Sequence, residues 1–148
     1  MLLRPHFKNF GKRLIKSPKI YFLDSGLLCY LLGVRTAADL HRHASRGAIF
    51  ESFVLSELVK NFANRGERPG LYFWRDSAGR EIDFLADSGG RLVAVEAKSG
   101  KTVAGDFFGA LKFWRDLNQD PSAPAALVYG GDRAFRQSGF AVYPWFAI

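Results

Sequence analysis

The sequence predicts an α/β layer fold, and three observations carry that prediction. A strongly helical pattern over residues 46–63 precedes three strand-like segments, the last two joined by a tight turn. A second amphipathic pattern follows over 105–118, and then an apolar strand at Ala125–Tyr129. The resulting α-β-β-β-α-β order implies a central mixed sheet whose later strand joins through a right-handed crossover. At 148 residues, 48% hydrophobic and 15% aromatic, the chain can bury one sizeable core and is too apolar for disorder.

Residues 1–19 carry Arg4, Lys8, Lys12, Arg13, Lys16, Lys19 and the terminal amine, and no acid. They form either a phosphate-binding arm or a solvated leading segment. The formal net charge of +7 suits an anionic partner such as nucleic acid, although basic surfaces also serve solubility. Residues 19–23 are expected to form a strand, after which Asp24 or Ser25 caps a short helix through Leu32 that Gly33 ends. The apolar run 20–32 is too short to span a bilayer and is interrupted by Asp24. The single cysteine, Cys29, cannot form an internal disulfide and is expected in the core, in a reducing compartment. With no signal peptide visible, the expectation is a cytoplasmic domain that makes no use of a membrane. His41 and His43 fall in a polar connection without a third ligand nearby, so no metal site is expected there.

In the first long helix Ile49, Phe50, Phe53, Val54, Leu58 and Val59 recur at helical spacing, Leu55 widens the stripe, and Arg65-Gly66 closes it. Glu51 falls between Phe50 and Phe53; on its own it is an acid favoured by the helix N-terminus. Leu71–Arg75 is the next strand, and Asp76 to Gly79 the turn before the hairpin. After the hairpin, Ser99-Gly100-Lys101-Thr102 looks like the end of a phosphate-binding P-loop. That motif needs a glycine where Val95 stands, so no ATP site is expected. In the second helix Phe107, Phe108, Leu111 and Trp114 are expected in the core, with Lys112 and Arg115 on other faces. Gly130-Gly131 ends the strand after it, and a last, edge strand is expected at 140–143, stopped by Pro144.

The hairpin carries the chemistry. Its arms are apolar and β-branched, and Ser88-Gly89-Gly90 supplies the turn. If Gly89 and Gly90 are the two loop residues, Asp83 lies opposite Glu96, and Glu96 and Lys98 share its face. Alternating charges usually mark a solvated strand face, but this register brings two carboxylates and an ammonium together. Such a group could run metal-assisted phosphodiester hydrolysis. Asp83 and Glu96 would hold Mg²⁺ or Mn²⁺, with the carbonyl of Ala97 as a third ligand and Glu51 in reach directly or through water. Lys98 would position the attacking water and stabilise developing charge.

The helix–Asp–Glu-x-Lys order resembles the PD-(D/E)XK nuclease superfamily, including Holliday-junction resolvases, which implies a restriction-endonuclease-like core. A second likeness covers nearly the whole chain. It rests on Lys16-Ser17-Pro18-Lys19-Ile20-Tyr21-Phe22-Leu23-Asp24-Ser25-Gly26, Gly47-Ala48-Ile49-Phe50-Glu51-Ser52-Phe53-Val54, Tyr72-Phe73-Trp74-Arg75-Asp76, Glu81-Ile82-Asp83 and Val95-Glu96-Ala97-Lys98-Ser99-Gly100. These stretches are similar to the C-terminal domain of unknown function found in many prokaryotic AAA+ ATPases. The resemblance implies a nuclease-like core at 46–148, preceded by a segment, 1–45, left from the linker to an ATPase module. It also implies DNA, and such a module in cis or in trans, as partners. Ile82 stands where the motif's name has proline, a common variation. Two functions follow from these readings: a metal-dependent DNA nuclease with Glu51, Asp83, Glu96 and Lys98 as its centre, or a non-catalytic DNA- or protein-binding module that regulates an ATPase. Fold alone does not choose between them.

Overall fold

The computed structural model describes residues 1–6 and 17–148. Lys8, Lys12, Arg13 and Lys16, most of the basic arm, therefore lie outside the described residues. Among the described residues eight strands form one mixed sheet, β1 (Leu2–Pro5), β2 (Lys19–Ile20), β3 (Leu71–Arg75), β4 (Glu81–Ser88), β5 (Arg91–Lys98), β6 (Ala125–Tyr129), β7 (Phe135–Gln137) and β8 (Phe140–Pro144). Their spatial order is β2-β1-β3-β4-β5-β6-β8-β7. The helices are α1 (Ser25–Leu31), α2 (Ala37–Arg42), α3 (Arg46–Asn64) and α4 (Gly109–Asn118). The expected α-β-β-β-α-β series is thus present as α3, β3, β4, β5, α4 and β6, inside a wider sheet.

Successive residues of the central strands enter different apolar clusters, as a pleated strand requires when both faces are covered. Phe73, Val95 and Val128 pack with Val54, Leu55 and Phe62 of α3. Their neighbours Trp74, Ala94 and Leu127 pack with Phe108 and with Leu111 and Trp114 of α4. The sheet is therefore a middle layer between the two long helices. At the hairpin, β4 and β5 pair from Ser88↔Arg91 to Phe84↔Val95, the expected register. Gly89 and Gly90 close it at φ +64° and +85°, the positive pair that a primed two-residue turn demands.

Several expectations are corrected. Residues 19–23 do not form a full strand: β2 is Lys19–Ile20 only, and Phe22 and Leu23 are exposed. The chain leaves the sheet early because Asp24 accepts from Leu27 N–H and starts α1. The N-terminal segment is more than an arm, since β1 pairs parallel to β3 and Leu3 is fully buried against the α3 layer. The stretch with His41 holds α2, started by a Thr36–Asp39 capping box, a polar signature that also reads as loop. The second helix opens with a 3₁₀ turn over Gly105–Phe108 before α4. The strand at Phe140–Pro144 is not the edge, because β7 pairs outside it. Cys29 is only partly buried, since α1 lies on the surface with no buried residue.

Phe108, Leu111 and Trp114 are buried as expected, while Phe107 packs at the margin of the same cluster. Trp114→Ala should lower unfolding stability by about 3–5 kcal/mol, the usual cost of removing a large core aromatic. Chemical denaturation measures this, and a loss below about 1 kcal/mol would place Trp114 outside the core.

Candidate functional site

The site starts from an irregularity in β4. Strict alternation would send Ile82 and Leu85, three residues apart, to opposite faces, yet both pack in the α4 cluster. The pairing with β3 explains this: Tyr72 faces Leu85 but Trp74 faces Ile82, so β4 carries one extra residue over that step. Such a bulge breaks the ladder and re-aims a side chain, here in the step that contains Asp83. The β4–β5 pairs end at Phe84↔Val95, one position short of Asp83 and Glu96. Beyond that point the Asp83 side chain substitutes for a backbone acceptor, its Oδ2 taking the Ala97 N–H at 3.0 Å.

Around this point lie Asp83, Glu96 and Lys98, and Glu51 is close enough to feel the charges of Asp83 and Lys98. Glu96, on β5, is 5% exposed and Asp83 8%. Lys98, two residues after Glu96, donates from Nζ to Glu96 Oε1 at 2.5 Å. Glu51 reaches in from the second turn of α3. Its Oε2 lies 3.9 Å from Lys19 Nζ and accepts from the Tyr21 hydroxyl at 3.4 Å. Lys19 also donates to Glu81 Oε1, and Arg75 stands 3.5 Å from the other oxygen of Glu81. Lys19, Tyr21 and Glu81 were not among the sequence-based candidates. Glu81 was within reach of that reading, since it sits two residues before Asp83 on the same strand.

Burial shapes the electrostatics. Desolvation pushes the Glu96 carboxyl up to about 8, and the nearby Asp83 charge pushes in the same direction against Lys98. Asp83 is also raised, first by burial, although the Ala97 N–H and the Lys98 charge favour its ionised form. Glu51 is raised by burial and then by Asp83. For Lys98 burial disfavours the ammonium, but Glu96, Asp83 and Glu51 outweigh it and hold the charge on. Burial similarly pushes the Tyr21 phenol up to about 12 against the pull of Lys19.

Carboxylate oxygens from two strands and a helix are the donor type that a hard divalent cation takes, and here Lys19, Arg75 and Lys98 stand against them. Glu96 Oε2 is buried and has no hydrogen-bond partner among the described residues, the kind of orphan acceptor that a ligand satisfies. As placed, however, no three His, Cys, Asp or Glu side chains among the described residues form a group that could hold one metal ion. Lys98 occupies one Glu96 oxygen, and Lys19 and Tyr21 hold the Glu51 carboxylate. His41 and His43 form no such group either: His41 meets Arg46, and His43 Nδ1 accepts from Ser45 N–H.

With this geometry in view, the comparisons with known proteins give the class. The chain belongs to the family described as Domain of unknown function (DUF4143), which matches residues 46–148, from the start of α3 to the end of the chain. Residues 1–38 match a second family, Domain of unknown function (DUF8612). The chain is similar to an uncharacterized protein of Mycobacterium tuberculosis and to one of Mycobacterium bovis, each 37% identical over 142 residues. The match covers 95% of this chain and 30% of each relative, so the chain spans under a third of the length of those proteins. No solved structure matches it. Among the described residues, no helix is long and apolar enough to cross a membrane.

The raised Glu96 carboxyl predicts a pH dependence. Between its ordinary value of 4.5 and about 8 the folded protein holds a proton that the unfolded chain releases. The stability tied to that proton is fully present below 4.5 and is lost as pH rises through about 8. Melting temperature should therefore fall from pH 5 to pH 8.5, and Glu96→Gln should flatten the fall. An unchanged pH slope in Glu96→Gln would show that Glu96 does not hold the proton.

Proposed function

We propose that residues 46–148 are a nuclease-like domain of PD-(D/E)XK type, acting as a Mg²⁺- or Mn²⁺-dependent phosphodiester hydrolase on DNA. The observation that carries this reading is the buried Asp83–Glu96 pair, with an orphan Glu96 oxygen and an adjacent Lys98 ammonium. Burying like charges costs stability and needs a functional or structural return. The α3-β3-β4-β5-α4-β6 series, with Glu51 on its first helix, is consistent with that core.

Asp83 and Glu96 would hold the ion, with Glu51 joining directly or through water and the Ala97 carbonyl as a further donor. When bound, the ion supplies Lewis acidity toward a phosphate oxygen and lowers the pKa of a water. Hydrolysis forms one P–O bond to the water oxygen and breaks the P–O bond to the leaving sugar oxygen, which takes up a proton. Lys98 Nζ orients the water and balances charge on the phosphate, which requires it to swing away from Glu96 Oε1. The Glu96 carboxyl holds its proton up to about 8, so ionising it is coupled to filling the site. On this reading the domain works in the cytoplasm beside an AAA+ ATPase module, in cis or in trans.

A second reading is a non-catalytic module that binds DNA or protein and regulates an ATPase. The close Lys98–Glu96 contact favours it, because an internal partner already occupies one Glu96 oxygen without metal.

Cleavage of plasmid and branched DNA by the purified protein separates the two. Under the nuclease reading Asp83→Asn lowers metal-dependent cleavage at least about a hundredfold, as expected when a metal carries the charge stabilisation. DNA binding changes little, because it rests on Lys and Arg contacts to phosphates. Lys98→Ala impairs cleavage with metal affinity kept or improved, since a cation beside the ion is gone. Wild-type cleavage by Asp83→Asn would sink the assignment, and no cleavage by the wild-type protein with either metal would favour the regulatory module.

A further inference from the structure

A cavity of about 610 Å³ opens between α1, α2, α3 and the loop that follows β5. Two kinds of side chain stand out in its otherwise small or aliphatic lining. Phe50, Phe53 and Trp145 give aromatic surface, and Arg46, Lys101 and His41 give basic groups. The Ser99–Thr102 stretch, which resembles a P-loop end without being one, contributes Ser99 and Lys101 here. Ser99 directly follows Lys98, so the cavity begins one residue from the proposed reaction centre.

The cavity is built rather than incidental. Arg46 Nε donates to Ser99 Oγ at 3.0 Å and its Nη1 donates to the His41 carbonyl at 3.2 Å, fixing a guanidinium at the rim. Gly130 lies so close to the loop that a Cβ there would come within 2.5 Å of the Ser99 carbonyl oxygen. Glycine is thus required for the loop to fold down against β6. Trp145 is held by its backbone N–H on the Tyr129 carbonyl at 3.0 Å and by an edge contact with Phe53 at 5.6 Å. Trp145 nevertheless remains 43% exposed.

We propose that this cavity takes one unstacked nucleotide of a nucleic-acid strand, its base against Trp145 and Phe53 and its phosphate at Arg46 and Lys101. The volume suits a ligand of nucleotide size, and aromatic faces with adjacent cations are the means by which single strands are bound without base pairing. The inference rests on the nuclease reading and deepens it: the substrate is a strand with unpaired nucleotides beside the scissile phosphate, rather than an uninterrupted duplex.

The test is fluorescence anisotropy with the whole 148-residue protein and labelled probes: a single strand, the same strand with abasic sugars, and a blunt duplex. The base-bearing strand should bind about tenfold tighter than the abasic one, as loss of a stacked base implies. Trp145→Ala should erase that difference, Trp145→Phe should keep it, and Lys101→Glu should weaken both strands. Both positions are exposed, and thermal melting checks that each variant folds. Equal affinity for the two strands, or a preference untouched by Trp145→Ala, overturns the proposal. Displacement of the strand by free dAMP at comparable concentration would make a mononucleotide the ligand and equally overturn it. A base preference that persists without any metal-dependent cleavage leaves the cavity standing and removes the nuclease reading; cleavage without the preference does the reverse.

Discussion

Asp83 and Glu96 hold two carboxylates out of water at the end of one hairpin, and much of the surrounding architecture answers that cost. A buried carboxylate must be protonated, paired or ligated. Here each device appears in part. The Ala97 N–H serves Asp83, Lys98 serves one oxygen of Glu96, and burial favours a proton on Glu96. The β4 bulge shifts the pairing with β3 by one residue in the step that contains Asp83, and the regular β4–β5 pairs stop one position short of it. Apolar walls from both layers, including Phe84, Val95 and Ile82, keep water away and so raise every one of these interactions.

A second tier surrounds this pair. Lys19 lies between Glu51 and Glu81, and Tyr21 bonds Glu51 while packing on Phe84 at 5.9 Å between ring centroids. The cations keep the acids from expelling one another. They also hold Glu51 in a position from which it does not share a ligand group with Asp83 and Glu96. One arrangement therefore accounts both for how the cluster tolerates its charge and for what has to move if a divalent ion is to displace the internal cations.

Much of the centre was legible because it is local. The hairpin register followed from two glycines and period-two alternation, whereas Glu51, alone a helix N-terminal acid, became a candidate only through the order helix–Asp–Glu-x-Lys. What could not be read depends on contacts distant in sequence. Nothing in Leu2–Pro5 announces a strand that pairs parallel to one about seventy positions later, and without that strand Lys19 has no reason to approach Glu81. The bulge was equally hidden, because Ile82, Phe84 and Leu85 are all apolar and fit either face. Polar capping residues disguised α2 as a loop, and a surface position made Cys29 look more buried than it is.

The placement of Lys19 and Tyr21 bears on how the chain is organised. They belong to the segment matched by one family, residues 1–38, whereas Glu51, Asp83, Glu96 and Lys98 belong to the other, residues 46–148. A boundary drawn between the two would cut the β1–β3 pairing and take Leu3 and Tyr21 from the core of the α3 layer. It would also leave Glu51 and Glu81 facing each other without the ammonium between them. Like charges in a half-buried setting repel enough to shift pKa values and loosen packing. The two matched segments are therefore one electrostatic unit, and the N-terminal strand belongs to the site as much as to the sheet.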